Sequence, residues 1–245
     1  MTLPRPILLA ALLLGALSLA SHADPRTLWS QGQSAYRQGD FQSSADAFTA
    51  LRDLLATTGT LDRAAADLNR GNALFRLASY PEALDAFTHA VRTSDLQLQA
   101  RAWHNHGRTL IALAEADLRE GHAAQADQRY AEAMTSFRRS LRLHPENHDA
   151  KINFEWAARE RIRLRGLVLQ FMQVIDDADA RIAQRDYLSA YQILTQPDPA
   201  RDFALNLQPD LKPAFEQRVQ HTGELLGMIQ EVAQFLEQFQ TEDPQ

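Results

Sequence analysis

The chain contains no cysteine. Disulfides, thiolate nucleophiles, cysteine-ligated metals and a cysteine-linked lipid anchor are therefore excluded. Glycine and proline number only ten each in 245 residues, and 45% of the residues are apolar. That is the composition of a globular, mostly helical protein. The formal net charge is −6 and the charges are spread along the chain. No basic domain or stripe marks a nucleic-acid binder. There is no glycine-rich phosphate loop and no Gly-x-Ser-x-Gly. An enzyme needs a convergent set of nucleophile, base or metal ligands. The sequence offers none, so it reads as non-catalytic and implies no cofactor.

What is present begins with a targeting segment, residues 1–23. Arg5 supplies positive charge, and Ile7 to Ala20 is an apolar run of 14 residues. Ser21-His22-Ala23 places small residues at the −3 and −1 positions. This is the anatomy of a secretory signal cleaved after Ala23, and the run is short for a membrane span. The expectation is a mature chain beginning at Asp24 in a bacterial periplasm, with no transmembrane helix left after cleavage.

A repeated pattern organises the rest. One copy is Asn69-Arg70-Gly71-Asn72-Ala73-Leu74, followed by Tyr80, Ala83, Phe87 and Ala90. The next is Trp103, Asn105-His106-Gly107-Arg108-Thr109-Leu110, followed by Tyr130, Ala133, Phe137, Leu141 and Pro145. A small residue (Gly71, Gly107) lets a second helix approach, an alanine (Ala83, Ala133) does the same at the crossing, and an aromatic (Phe87, Phe137) fills the space beneath. Proline at 145 ends the helix. An earlier copy runs from Leu28 to about Leu54, with Gly32, Gly39-Asp40-Phe41, Ser44, Phe48 and Leu51. Ala56 to Thr60 is Thr-rich with a glycine and reads as a loop. In the copy from Leu61 to Thr93, Pro81 suits a first helical position.

The pattern resembles the tetratricopeptide repeat (TPR), a 34-residue pair of antiparallel helices. The resemblance implies an all-α fold: a TPR helical-hairpin solenoid, a right-handed superhelix, with a helical C-terminal extension. Residues 24–162 would hold about three repeats plus a capping helix, and residues 163–245 a helical C-terminal region. Gly107 to Tyr130 spans 14 residues more than Gly71 to Tyr80. That is close to four helical turns, read as two helices each lengthened by about two turns and breaking at Gly121-His122. Asn153 follows in register, on a helix from Asp149 to about Arg165 that Asn147 or Asp149 can cap. Beyond it, Asp186-Tyr187, Ala190 and Leu194 look like a degenerate second helix, which Gln196-Pro197-Asp198-Pro199 ends. A final helix reaches about Phe239. Its wide apolar set (Phe215 through Phe239) would either cap the stack or pair with a second copy. Capping is the stronger expectation, because terminal repeats must cover exposed core. The oligomeric state is not legible.

A narrower resemblance rests on Leu68 to Arg76, the lengthened third hairpin, and Asn147 to Glu155. Together these look like the periplasmic TPR proteins of aerotolerance-type (Bat) operons. Such proteins are similar to components encoded beside von Willebrand factor A (VWA) domain proteins and MoxR-type ATPases. The resemblance implies a scaffold or adaptor in the cell envelope whose partners are other proteins, VWA-domain membrane proteins among them. An envelope assembly factor of another pathway is the alternative. A hydrolase or metal-binding protein using the C-terminal region is a further one.

In TPR proteins the first helix of each repeat lines a concave groove. Register then assigns Trp29, Gln33 and Tyr36 from the first repeat. Asn69, Asn72, Phe75 and Arg76 come from the second, and Arg101, His104, Asn105 and Arg108 from the third. Asn153 and Trp156 extend the line. Amides can donate to and accept from an extended peptide backbone. Arginines pair with carboxylates, and aromatics supply anchor area. The same asparagines could instead bond neighbouring helices. Trp29 and Asn105 stand where carboxylate-clamp TPRs use basic residues, so that clamp is not expected here. His104 and His106 are two apart and point to different helix faces, so they do not form a metal pair. Arg159, Arg161, Arg163 and Arg165 read either as a solvated helix face or as a basic face for anionic lipid, the former being preferred.

Overall fold

Four helical hairpins follow one another along the chain. A computed structural model describes residues 24–58 and 63–241, and every regular element among them is an α-helix. The first hairpin is α1 (Pro25–Gln38) and α2 (Phe41–Thr58). The second is α3 (Ala64–Arg76) and α4 (Tyr80–Ala90), and the third is α5 (Leu96–Arg119) and α6 (Ala123–Leu143). The fourth is α7 (His148–Ala183) and α8 (Tyr187–Thr195), with α9 (Pro199–Leu207) and α10 (Leu211–Thr241) after it. The all-α hairpin fold expected from the repeat pattern is the one observed. The targeting segment, residues 1–23, lies outside the described residues, as do Gly59 and Thr60 of the Thr-rich segment.

All four hairpins turn in the same way. Gly39, Ala78, Gly121 and Arg185 have φ between 59° and 81°, each two residues before the second helix begins. The next amide reaches back five residues in every case: Asp40 to Ala35, Ser79 to Leu74, His122 to Asp117 and Asp186 to Arg181. This is the left-handed helix cap that satisfies the last orphan carbonyls. A fixed register follows from it. Seven residues before the turn residue stand Gly32, Gly71, Ala114 and Ala178, all buried. Three residues into the second helix stand Ser44, Ala83, Ala126 and Ala190, each 0% exposed. One turn further, Phe48, Phe87, Tyr130 and Leu194 fill the space at 1% exposure each. Small residues bring the helices together and one large residue closes the gap.

The insertion in the third hairpin behaves as its length requires. α5 runs twelve residues past Gly107, where α3 runs five past Gly71. α6 begins seven residues before Tyr130, where α4 begins at Tyr80 itself. Each helix therefore gains about two turns, and whole turns keep one face inward. Ala133 and Phe137 are still buried beyond the added set, at 0% each.

Several boundaries differ from the sequence expectation. α2 continues to Thr58, so Ala56 to Thr58 is helical rather than loop; Leu55, buried with Leu28 and Phe48, extends its apolar stripe. Pro81 sits at the second position of α4. α7 does not stop near Arg165 but runs on to Ala183. Its buried stripe of Leu164, Val168, Phe171 and Ala178 is continuous at helical spacing, and the lone Gly166 does not break it. Asn147 caps α7 by accepting from the Ala150 amide at 3.0 Å. Asp198 caps the short α9, which the sequence pattern did not reveal. α10 covers core only in its first half. Phe215 is buried beside Phe171, but Met228, Ile229, Val232, Phe235 and Leu236 are exposed. Capping thus accounts for part of that helix and not for its distal face.

The described chain divides into two compact units. One holds the residues up to Thr109 with Arg139–Glu146; the other holds Leu110–Arg138 and the residues from Asn147 onward. In the first, Leu28, Phe48, Leu51 and Leu55 form one core cluster. Leu68, Ala83, Phe87, Ala90 and Ala102 form another. In the second unit, Tyr130 and Leu164 anchor one cluster, and Phe171, Leu194 and Phe215 the other. No described helix is long and apolar enough to cross a membrane.

Candidate functional site

The first helices of hairpins one to three present the predicted side chains in the first unit. Gln33 and Tyr36 on α1 and Asn69 on α3 line a cavity of about 240 Å³, with Arg37 and Phe48. Tyr36 also lines a second cavity of about 160 Å³ with Asn72, Phe75, Arg76, Asn105 and Arg108. The register therefore brings together eight of the twelve predicted residues.

Two features define the chemistry there. Asn105 Nδ2 donates to Asn72 Oδ1 at 2.7 Å, tying hairpin two to hairpin three. This uses one of the two N–H donors of Asn105 and one lone pair of Asn72, which leaves further capacity on both amides. Asn69 Nδ2 instead donates to the Ala65 carbonyl of its own helix at 2.8 Å. The asparagines thus do bond within the array, and two of them bond across it.

The second feature is a pair of arginines parked on aromatic faces. The Arg76 guanidinium lies 4.4 Å from the centroid of Phe41, and that of Arg108 lies 4.9 Å from Phe75. Tyr36 stands edge-on to Phe41 at 5.2 Å. Each stacking is worth about 0.5–1 kcal/mol at an exposed site. It fixes the cation while leaving its five N–H donors for a carboxylate. Neither arginine forms an ion pair among the described residues.

Phe41 was not anticipated, because it belongs to a second helix. Its signal was nevertheless in the sequence. Phe41 and Tyr80 both open a second helix directly after the turn, and Tyr80 likewise packs on Phe75 at 5.4 Å.

The remaining predicted residues go elsewhere. Trp29 packs edge-on against Phe48 at 5.5 Å and lines a separate cavity of about 280 Å³ with Leu51 and Leu55. Arg101 is exposed on α5. His104 is half-buried and lines neither groove cavity. Asn153 and Trp156 belong to the second unit, where Trp156 packs on Tyr130 at 5.7 Å. Among the described residues no group of His, Asp or Glu is arranged to hold a metal ion.

The arginine run on α7 is largely neutralised. Arg161 donates twice to Asp127, at 2.8 and 3.0 Å, and Arg165 once at 3.3 Å. Arg163 pairs with Glu160 at 2.9 Å. Burial alone would push the Asp127 carboxyl up; the hydrogen bonds and charges of Arg161 and Arg165 outweigh it and hold the pKa below the ordinary value. Nearby, burial, with Glu115 and Glu160 adding to it, pushes the Tyr130 phenol up to about 12. In the C-terminal part, Asp179 is held by Arg218 at 3.0 Å.

Residues 30–96 match the family model described as tetratricopeptide repeat. The matched segment spans most of the first hairpin and all of the second. Both groove cavities draw most of their lining from it. No curated protein matches the chain. Among solved structures, the chain is similar to the first TPR of Spaghetti (RPAP3) bound to HSP90 peptide SRMEEVD. The TM-score is 0.45 at 22% identity, covering 58% of this chain and 98% of that one. It is also similar to the Arabidopsis OM64 TPR domain, with a TM-score of 0.43 at 21% identity, covering 55% of this chain and 94% of that one.

Proposed function

We propose that this protein is an exported, non-catalytic TPR scaffold of the bacterial cell envelope. In this reading residues 1–23 direct export and the chain from Asp24 works in the periplasm. The groove of the first unit holds an extended, acidic segment of another protein. The observation that carries the reading is the placement of Arg76 and Arg108. Both are stacked on aromatic rings, neither has a carboxylate partner among the described residues, and they line one cavity with the Asn72–Asn105 amide pair. Two preorganised cations favour carboxylates, and amides with spare donors and acceptors suit a peptide backbone.

The narrower resemblance supplies the partner class: VWA-domain proteins and, through them, MoxR-type ATPases. The test is capture of envelope proteins by the mature protein beside an Arg76→Glu, Arg108→Glu variant. Both arginines are exposed, so charge reversal should leave the fold intact. VWA-domain proteins retained by the wild type and lost by the variant would support both groove and partner. Retention by the variant would contradict the groove. Capture of envelope proteins without any VWA domain would move the protein to another assembly pathway.

A further inference from the structure

A second polar cavity lies outside the groove. It has a volume of about 500 Å³ and is framed by the end of α2, the start of α3 and the end of α4. Its charged lining is Arg52, Asp53, Arg63, Asp67, His89 and Arg92. The size falls within the roughly 300–1,000 Å³ of small-ligand sites.

Its charges are incompletely matched, and the mismatch has a pattern. Asp53 takes both the Nε and Nη2 groups of Arg52, at 3.1 and 2.8 Å, so that pair is settled. His89 stands 3.5 Å from Asp85, outside the lining. Asp67 is only 5% exposed, and its Oδ1 is buried with no hydrogen-bond partner among the described residues. Burial pushes its carboxyl pKa up against the pull of Arg52, His89, Arg70 and Arg63. Buried polar groups ordinarily have partners, so this one is an exception that calls for a donor. At the mouth, the exposed Arg63 and Arg92 form no ion pair among the described residues.

A simple anion would meet the arginines but also the buried carboxylate. A simple cation would meet Asp67 but pass two guanidiniums. Only a ligand carrying both charges close together matches both halves. We infer that this cavity binds the zwitterion of a free α-amino acid, its ammonium against Asp67 and its carboxylate between Arg63 and Arg92. This site is independent of the groove and of the protein bound there. It would let a small metabolite report to a scaffold that has no chemistry of its own.

The test uses amide chemical shifts of the mature protein titrated with L-alanine and with its two halves, propionate and ethylamine, at matched ionic strength. L-alanine should shift the amides around Asp67 and His89, with propionate and ethylamine at least about tenfold weaker. Asp67→Asn keeps the shape and removes the charge, and it should bring propionate level with L-alanine. Arg92→Gln, at an exposed position, should weaken L-alanine about fivefold without touching the fold. Propionate binding as tightly as L-alanine to the unaltered protein would overturn the inference, since the arginines alone would then suffice. N-acetyl-L-alanine binding equally well would overturn the ammonium assignment and leave a site for peptide carboxyl ends. No shift with L-alanine at tens of millimolar would mean that water fills the cavity, and would also overturn it.

Discussion

A Cβ added to Gly71 would stand 2.6 Å from Cε1 of Phe87. Phe87 is 1% exposed and cannot yield. The contact explains why this position is glycine inside a helix, where glycine costs about 1 kcal/mol relative to alanine. Gly71→Ala should destabilise the first unit, because overpacking costs about 1–3 kcal/mol and exceeds the helix gain. Gly166 offers the opposite case, since nothing lies within 4 Å of its added Cβ. Gly166→Ala should stabilise by up to about 1 kcal/mol. Urea unfolding of the two variants checks the sign of each.

Ala78 and Arg185 occupy the turn position that Gly39 and Gly121 fill in the other hairpins. A residue with a Cβ pays about 1–2 kcal/mol in that conformation. Ala78→Gly and Arg185→Gly should therefore each raise stability by about 0.5–1 kcal/mol, against the usual direction for glycine. Lower melting temperatures for both would refute the shared-turn account.

The Asn72–Asn105 bond joins two hairpins through side chains alone. A double-mutant cycle of Asn72→Ala and Asn105→Ala should give a coupling of about 0.5–1.5 kcal/mol in stability. Additive single effects would mean that the bond contributes nothing in solution.

Asp127 ties α6 to α7 through Arg161 and Arg165. Its folded pKa is depressed, so the unfolded chain binds more protons in acid. The stability it contributes is full above the ordinary carboxylate pKa and is lost as pH falls through the depressed value. Asp127→Asn should destabilise by about 2 kcal/mol at neutral pH, with the gap closing in strong acid. A gap that persists unchanged in acid would assign the loss to packing rather than charge.

The helical hairpins were legible because Gly71, Ala83 and Phe87 record a close helix crossing in residue size alone. The two added turns at each side of Gly121 were legible as a whole-turn insertion. The length of α7 was not. Counting from Asn153 measures that helix from its start, whereas the packing register is measured back from the turn at Arg185 and lands on Ala178. The two cavities on the first helices are lined by Gln33, Tyr36, Asn69, Asn72, Phe75, Arg76, Asn105 and Arg108, which share the repeat register. The positions of Arg76 and Arg108 depend on Phe41 and Phe75, and a stacked cation has no sequence period. Trp29 lines a separate cavity, because an aromatic on a first helix can also serve the core, as its packing on Phe48 shows. The stripe from Met228 to Leu236 looked like a cap because apolar spacing reports a face but not what covers it.

The most direct measurement is the affinity of residues 24–245 for a VWA-domain protein, the partner class proposed above, with and without Arg76→Glu, Arg108→Glu. The Asp67→Asn variant serves as a control away from the groove. The groove account predicts that charge reversal weakens binding at least about tenfold, that added salt weakens the unaltered protein, and that Asp67→Asn changes nothing. Equal affinity for all three proteins would contradict it and place the interface outside the groove.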